Sequence, residues 1–553
     1  MPETKDAPEA NQVEQAQMPD LEARSPAADA VGANKDAINS VPVKVKELDK
    51  AAQFLKQAQH QIVVTRAENL RVRKLIDWRI LPLLLVVYCL QSLDKSTLSY
   101  AGVFGLIDDA KLVGDEYSWL GSVVYVAQLV FQPVVAYILV KFPIGKFISC
   151  MVLAWGVILC CMTAAHDFAG LVTARLFLGI FEASVAPTFV AVIQMWYRRR
   201  EQTLRNSFWY AQLGVVNILG SLLSYGLGHI NSGALHPYQV IFLFCGCLTF
   251  AWSAVMFLFM PDSPITAKFL KGDDKLIAVE RLRMNQQGIG SGVWKWDHVK
   301  ECLIDPKTWL WFSTIFAISV PSGGISTFGP LIIESFGFDR FTTILFNMPF
   351  GAIQMISTIG GAWLSDKIKM KSPVLILLCL GPITGCSILL AIGREPSDRA
   401  LLLFGYYIIS VYPGITPLIY SWSGQNTGGD TKRKVTTAMI FIGSNAGNIV
   451  GPLLFRTSES PRYTRGLTAN LILFIVLAVL FAFGMLLIKV LNKRHARKRV
   501  ALGKPEHIVD FSMMDNREME DDDDVMNQAT DQTGERGFED LTDLKNEDFI
   551  YVY

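Results

Sequence analysis

Residues 168–197 read FAGLVTARLFLGIFEASVAPTFVAVIQMWY. The stretch is apolar except for Arg175, Glu182 and a few small polar side chains. As a helix it would be about 45 Å long, more than the roughly 30 Å hydrocarbon core of a bilayer. An ionisable side chain in the middle of such a helix costs roughly 2.5–3.5 kcal/mol on insertion scales. The stretch therefore predicts a membrane helix whose two charges face the interior of a bundle.

The pattern repeats along the chain. Of 553 residues, 51% are apolar and 18% charged, against about 25% charged in ordinary soluble domains. Twelve apolar segments lie near 79–101, 117–140, 146–165, 168–197, 204–230, 238–260, 308–335, 341–365, 373–392, 399–422, 432–455 and 466–490. Each is long enough to cross a bilayer as helix. The longest connection, 261–307, falls between the sixth and seventh. Six plus six around a central loop predicts an all-α membrane protein of twelve transmembrane helices in two pseudo-symmetric halves. The expected organisation is a disordered tail over 1–65, a first half over 66–260, the loop over 261–307, a second half over 308–490 and a tail over 491–553. No basic start with a short apolar core opens the chain, so the first helix is expected to direct insertion itself.

This composition excludes a soluble multidomain enzyme. A net charge of +1 excludes a basic nucleic-acid binder. Eight of the nine cysteines, all but Cys302, sit inside apolar segments and read as small hydrophobes, not a disulfide framework or a metal site. No cofactor is implied.

Lysine and arginine mark one side of the membrane. One set of flanks carries Arg71, Arg73, Lys74, Lys141, Lys146 and Arg198–Arg200, then Lys367, Lys369, Lys371, Lys432–Lys434 and the run 493–499. The opposite loops are poor in bases, except 456–465 with three arginines. An even number of spans then predicts an integral multi-pass protein with both termini in the cytoplasm, in the plasma membrane.

Four charges stand out: Asp94 and Lys95 in the first helix, Arg175 and Glu182 in the fourth. Arg175 and Glu182 are seven residues apart and share one helix face, two turns apart, with Gly179 thinning that face. Asp94 and Lys95 are neighbours and diverge by about 100°. The plainer reading is a pair of ion pairs locking helices one and four; buried pairs stabilise poorly, which favours a role in binding.

Polar stripes mark further interior faces, because lipid does not tolerate them. The second helix carries Gly121, Tyr125, Gln128 and Gln132; the eighth carries Asn347, Gly351, Gln354, Thr358, Gly361 and Ser365. The two stripes register at an offset of 226 residues, which supports duplication independently. The fifth helix adds Gln212, Gly214, Asn217, Ser221 and Ser224. Gly443, Gly447 and Gly451 at four-residue spacing read as helix packing. Asp366 with Lys371, in the turn after the eighth helix, reads as a gating clamp; the turn after the second helix, KFPIGK (141–146), lacks the acid.

No G-x-x-x-x-G-K-[ST] loop is present. The segment DKST at 94–97 sits at a membrane helix end with no large cytosolic domain after it, so a gradient is the expected energy source.

The stretches LDKSTLSYAGVFGL (93–106), TARLFLGIFEASVAPTFV (173–190), WYRRREQTLRNSFWYAQLG (196–214), MPDSPITAKFL (260–270), WKWDHVKECLIDPKTW (294–309), GQNTGGDTKRK (424–434) and GNIVGPLLF (447–455) carry a family likeness. Together they resemble the fungal allantoate permease-like branch of the anion:cation symporters, in the major facilitator superfamily. The resemblance implies that Asp94, Lys95, Arg175 and Glu182 handle a substrate carboxylate and protons. Lys95 stands where relatives often have arginine, so it keeps the charge and loses the planar fork. The start D-K-S-T differs from the D-R-x-N of nicotinate-type carriers.

The expected function is proton-coupled uptake of a small organic anion of allantoate, ureido, amino or sulfonate type. Asp94 and Glu182 would couple protons. Lys95 and Arg175, with Tyr125, Gln128, Gln212, Asn217, Asn347 and Gln354, would bind the anion. The partners are that anion, protons and the bilayer, with no nucleic acid and no obligate protein partner. The same machinery run outward would export an acidic metabolite, and a non-transporting nutrient sensor is the alternative of another class.

Overall fold

A computed structural model describes residues 64–103, 106–113, 116–228, 236–285, 293–338, 340–455, 459, 461–514 and 540–553. The tail predicted over 1–65, apart from its last two residues, lies outside the described residues. So do the base-poor loop at 231–235, Arg456 and the acidic run Asp521–Asp524.

The first six spans are α1 (Arg66–Val103), α2 (Glu116–Lys141), α3 (Ile144–Cys161), the pair α4 (Phe168–Glu182) and α5 (Val185–Trp196), the pair α6 (Arg199–Tyr210) and α7 (Gln212–Gly228), and α8 (Pro237–Phe259). The last six are α9 (Pro306–Glu334), α10 (Arg340–Ile368), α11 (Ser372–Ala391), the pair α12 (Arg399–Ile409) and α13 (Ile415–Gln425), α14 (Asp430–Leu453) and α15 (Thr464–Ala501). Every apolar segment of the sequence falls on one of these. Among the described residues, eight spans are long and apolar enough to cross a membrane by composition. The α6–α7 span, α9, α10 and α14 are not among these eight.

Two helices outrun their apolar segments. α1 starts at Arg66, not near residue 79, because Val72, Ile76 and Ile80 continue a buried stripe at four-residue spacing beneath a charged face. α15 continues to Ala501, well past residue 490, with Leu491, His495 and Arg499 buried along one face. The tail predicted from 491 onward is therefore helix at its start. At its end, residues 540–553 pack under the bundle, with Phe549 and Tyr551 each 1% exposed. The central loop likewise holds short helices at Asp273–Glu280 and Trp296–Ile304.

Within the first half α8 packs on α3 and α1, and α2 on α4; within the second, α9 packs on α14 and α11 on α15. The halves meet along two seams, α2 against α14 and α7 against α10. At the second seam a Cβ on Gly351 would lie 2.7 Å from the Gly214 carbonyl oxygen and 3.0 Å from Asn217 Cβ. Backbones come this close only between glycines. Gly443, Gly447 and Gly451 do the same against α9, where a Cβ would meet Phe312, Phe316 and Val320 backbone atoms. That stripe is packing.

The break between α4 and α5 has a local cause. Pro187 has no N–H for the carbonyl of Ala183 four residues back. Gln132 Nε2, from α2, donates to that carbonyl at 3.0 Å. The acid absent from the KFPIGK turn comes from elsewhere: Asp262 Oδ1 accepts from the Lys146 backbone N–H at 3.0 Å. It thereby places a carboxylate at the start of α3, where helix N–H groups are free.

Candidate functional site

Asp94 and Lys95 diverge as adjacent helical residues must. Asp94 is 1% exposed; its Oδ2 accepts from Trp155 Nε1 on α3 at 2.8 Å, and its Oδ1 from Thr97 Oγ1 at 3.3 Å. Lys95 is exposed, yet its Nζ lies 5.8 Å from the centre of the Tyr125 ring on α2. Its charge is also near enough to act on the buried Glu182 carboxyl.

Glu182, also 1% exposed, ends α4 just before the Pro187 break. Its Oε2 accepts from Gln128 Nε2 at 3.2 Å and from Gln91 Nε2 at 3.5 Å. Its Oε1 accepts from no N–H or O–H donor, and a side-chain hydrogen bond with the Asp94 carboxyl also acts on the group. Arg175, 4% exposed, leaves Nε and Nη2 unpartnered. Its charged surroundings are Asp94 and Glu182, with the phenols of Tyr117 and Tyr125; those of Glu182 are Asp94, Lys95 and Arg175.

The four charges thus gather in one place, but not as two locked ion pairs. Among the described residues none of the four is joined to another by an ion pair within 4.0 Å. Gly179, expected to open the Arg175–Glu182 face, admits a helix: a Cβ there would lie 2.8 Å from Ala127 Cβ on α2.

The other predicted binding residues divide. Tyr125 and Gln128 belong to the cluster. Asn217 Nδ2 donates to Gln354 Oε1 at 2.9 Å, a bond between the halves beside the Gly214–Gly351 contact. Asn347 Oδ1 accepts from Tyr406 OH at 3.5 Å within the second half. Gln212 is half-buried at the start of α7, and among the described residues no hydrogen bond links it to the charges. Gln91, Thr97 and Trp155 escaped the sequence reading. A tryptophan in an apolar helix looks like any core residue until its N–H is seen aimed at a carboxylate.

Below the cluster, toward the end rich in bases, the halves close on each other in layers. Tyr88, six residues before Asp94, packs edge-on against Trp209 with ring centres 4.7 Å apart, and Trp209 stacks on Tyr420 of α13 at 6.0 Å. Next, Asn206 Nδ2 donates to Ser421 Oγ at 3.0 Å. Outermost, Gln425 and Arg199 bond to each other's backbone carbonyls. Arg205 grips Asp77 of α1 with two bonds, at 2.7 and 3.2 Å.

The predicted clamp lies at this closed end. Asp366 has Lys371 beside it and Thr203, Arg200 and Arg205 of the first half facing it. Lys371 is fully buried with no hydrogen bond to Nζ. Burial pushes its ammonium down to about 8 despite Asp366 nearby. Among the described residues no group of three or more His, Cys, Asp or Glu side chains could hold a metal.

Comparison with known proteins agrees with this architecture. A proton:xylose symporter structure superposes with a TM-score of 0.60 at 14% identity, covering 73% of this chain and 95% of that one. An uncharacterized transporter of Schizosaccharomyces pombe is 34% identical over 92% of this chain and 94% of its own length. The thiamine pathway transporter of Saccharomyces cerevisiae is 31% identical, over 97% of this chain and all of its own. The allantoate permease of the same yeast is 27% identical, over 92% and 90%. The sequence pattern of the Major Facilitator Superfamily matches residues 84–452, and with these relatives spanning nearly the whole chain, the protein belongs to that superfamily and is a secondary transporter, not an enzyme.

Proposed function

We propose that this transporter carries a small organic anion together with protons, into the cell across the plasma membrane. The observation that carries the reading is the pair of unpartnered guanidinium atoms Arg175 Nε and Nη2, beside the carboxyls of Asp94 and Glu182. A buried guanidinium without a direct partner is expensive, and a carboxylate or sulfonate ligand would satisfy it with charge-assisted bonds. Lys95, exposed and near enough to Glu182 to act on it, supplies a second positive charge. Asp94 and Glu182 then carry protons: neutralising them frees both cations for the anion. The thiamine pathway transporter and the allantoate permease among the relatives fit a nitrogen-containing organic substrate, and the sequence likeness to anion:cation symporters points to an acid.

The basic loops support, by the positive-inside rule, a topology with both termini in the cytoplasm. The closed end is then cytoplasmic, Asp366 and Lys371 are part of its gate, and the conformation is one that receives substrate from outside. Moving one proton with one anion transfers no net charge; two protons would also draw on the membrane potential, about 2.3 kcal/mol per charge at 100 mV.

The test is uptake of radiolabelled ureido acids, amino acids and sulfonates into proteoliposomes with an alkaline interior. Accumulation of one of them that a protonophore collapses is the expected result. Uptake of a neutral compound that ignores both the protonophore and an Arg175→Gln substitution would overturn it. Outward flux driven by the reversed gradient, in preference to uptake, would favour an exporter.

A further inference from the structure

The last fourteen residues are read by the body of the protein as a bound peptide is. Asn426 exchanges two hydrogen bonds with the backbone of Val552, at 2.7 and 2.9 Å. Asn492 exchanges two with Tyr551, both 2.9 Å. An asparagine amide that both donates to and accepts from one residue copies the pairing of a neighbouring strand. Trp422 Nε1 adds a bond to the Val552 carbonyl at 2.8 Å.

Charge fixes the other end of the segment. Asp543 is fully buried and pairs with Lys307 and with Lys432, the latter at 2.9 Å. The Tyr551 hydroxyl donates to the same carboxylate at 3.0 Å. All of these receiving groups belong to the second half or to its end of the chain.

Arg199 of the first half reaches the segment as well. Its Nη2 donates to the Ile550 carbonyl at 2.8 Å, and its guanidinium lies over the Phe549 ring, 4.9 Å from its centre. This is the residue that also closes the basic end by bonding to Gln425. One arginine therefore holds the partner half and the tail at once, and the halves cannot part at this end without breaking the tail contact.

We propose that residues 540–553 are a strap that holds the cytoplasmic gate shut, so that the strap must release Arg199 before the transporter can face inward. The strap makes the C-terminus an autoinhibitory element: whatever draws it away raises the fraction of inward-facing molecules. The proposal rests on the reading above in which this end is a cytoplasmic gate, closed while substrate enters from outside and opened in turn to release it.

The experiment measures how fast a membrane-impermeant maleimide, applied from the cytoplasmic side, labels a cysteine at the gate. Ser421→Cys is the probe, since Ser421 is 1% exposed and sits between the halves. Labelling is read by mass spectrometry of the peptide containing residue 421, so native cysteines stay in place. Ending the chain after residue 539 is expected to raise the labelling rate at least tenfold, and a synthetic peptide of residues 540–553 to lower it again. Asn492→Ala, remote from the gate, is expected to raise it about threefold in the full-length chain, and covers the case of a truncated protein that does not fold. An unchanged rate in both variants overturns the strap. If position 421 stays silent in every variant, including one with Arg199→Ala and Gln425→Ala together, alternating access at this gate fails instead.

Discussion

Gln425 Nε2 donates to the backbone carbonyl of Arg199, and Arg199 Nη2 donates back to the carbonyl of Gln425. The two residues are 226 positions apart, the offset that also aligns Gln128 with Gln354 and the fully buried Trp196 with Trp422. They hold equivalent places in the two halves, so their contact lies where the halves exchange under the pseudo-twofold. Gln425→Ala removes the amide's bonds to the Arg199 carbonyl and, at 3.3 Å, to Thr203 Oγ1 and leaves the arginine's own bonds; each lost bond is worth about 0.5–1.5 kcal/mol. Maleimide labelling at position 421 should rise roughly fivefold or more. Arg199→Ala, which also loses Ile550 and the Phe549 ring, should exceed it.

Glu182→Gln tests proton coupling with little cost to folding. The glutamine oxygen still accepts from Gln128, and its amide occupies the side where Oε1 now accepts from no N–H or O–H donor. Gradient-driven accumulation should fall to equilibration, while counterflow exchange of labelled for unlabelled substrate persists. Unimpaired accumulation would remove Glu182 from the proton path.

Most of the spans were readable because bilayer thickness forces long apolar runs, and a charge inside such a run has nowhere to hide. The set Asp94, Lys95, Arg175 and Glu182 followed from that cost alone. Partners were not readable. Trp155 Nε1 and Gln91 Nε2 reach their carboxylates from other helices, and no local spacing records an interhelical direction. The tail misled for a related reason: Phe549-Ile550-Tyr551-Val552 is too short to cross a membrane, so its burial depends on partners that lie far off in sequence, Asn426, Asn492 and Trp422 with Arg199 and His495. Asn217 and Gln354, read as substrate ligands, bond to each other at a seam.

Trp155→Phe isolates one of those unseen partners. The ring volume is largely kept, but the 2.8 Å bond to Asp94 is lost, and hydrogen bonds to charged groups are worth about 1.5–3 kcal/mol. Transport at saturating substrate should drop ten- to a hundredfold with normal expression and thermal stability. Trp252→Phe, whose Nε1 has no partner, should transport like the unmodified protein.

The α7–α10 seam should be intolerant of a single methyl group. Gly351→Ala would place a Cβ 2.7 Å from the Gly214 carbonyl oxygen, and neither backbone can retreat without parting the halves. Overpacking of this kind costs about 1–3 kcal/mol, so the melting temperature in detergent should fall by several degrees. Gly360→Ala, on the same helix with nothing within 4 Å of the new atom, is the control and should leave it unchanged.

Acid should act on the strap through His298 and not through Asp543. Burial would raise the Asp543 carboxyl, but Lys307 and Lys432 outweigh it and hold the group well below the carboxylate range. Arg199, His495 and Tyr551 also face it, and Asp305 and Glu301 lie across the two lysines. A depressed carboxyl stabilises docking above its free value near 4 and gives this up only as pH falls through the docked value, so nothing is lost between pH 7.5 and 5. His298 faces Asp540 and Lys545 of the strap, with Lys295 and Glu301 beside it, and burial holds its imidazole below the usual value. Asp540 of the strap works against that lowering, so where the strap's burial of the ring outweighs Asp540 the docked form binds a proton less readily than the released form, and docking weakens as pH falls below about 6.5. Hydrogen exchange of residues 540–553, corrected for its intrinsic pH dependence, should be faster at pH 5 than at pH 7.5, and less so in His298→Gln. Asp543→Asn leaves the lysines short of a buried partner, a change worth about 3–5 kcal/mol. Its exchange should rise about a hundredfold or more at both pH values; a rise confined to pH 5 would mean that Asp543 titrates in this range and that the lysines do not hold it as the geometry requires.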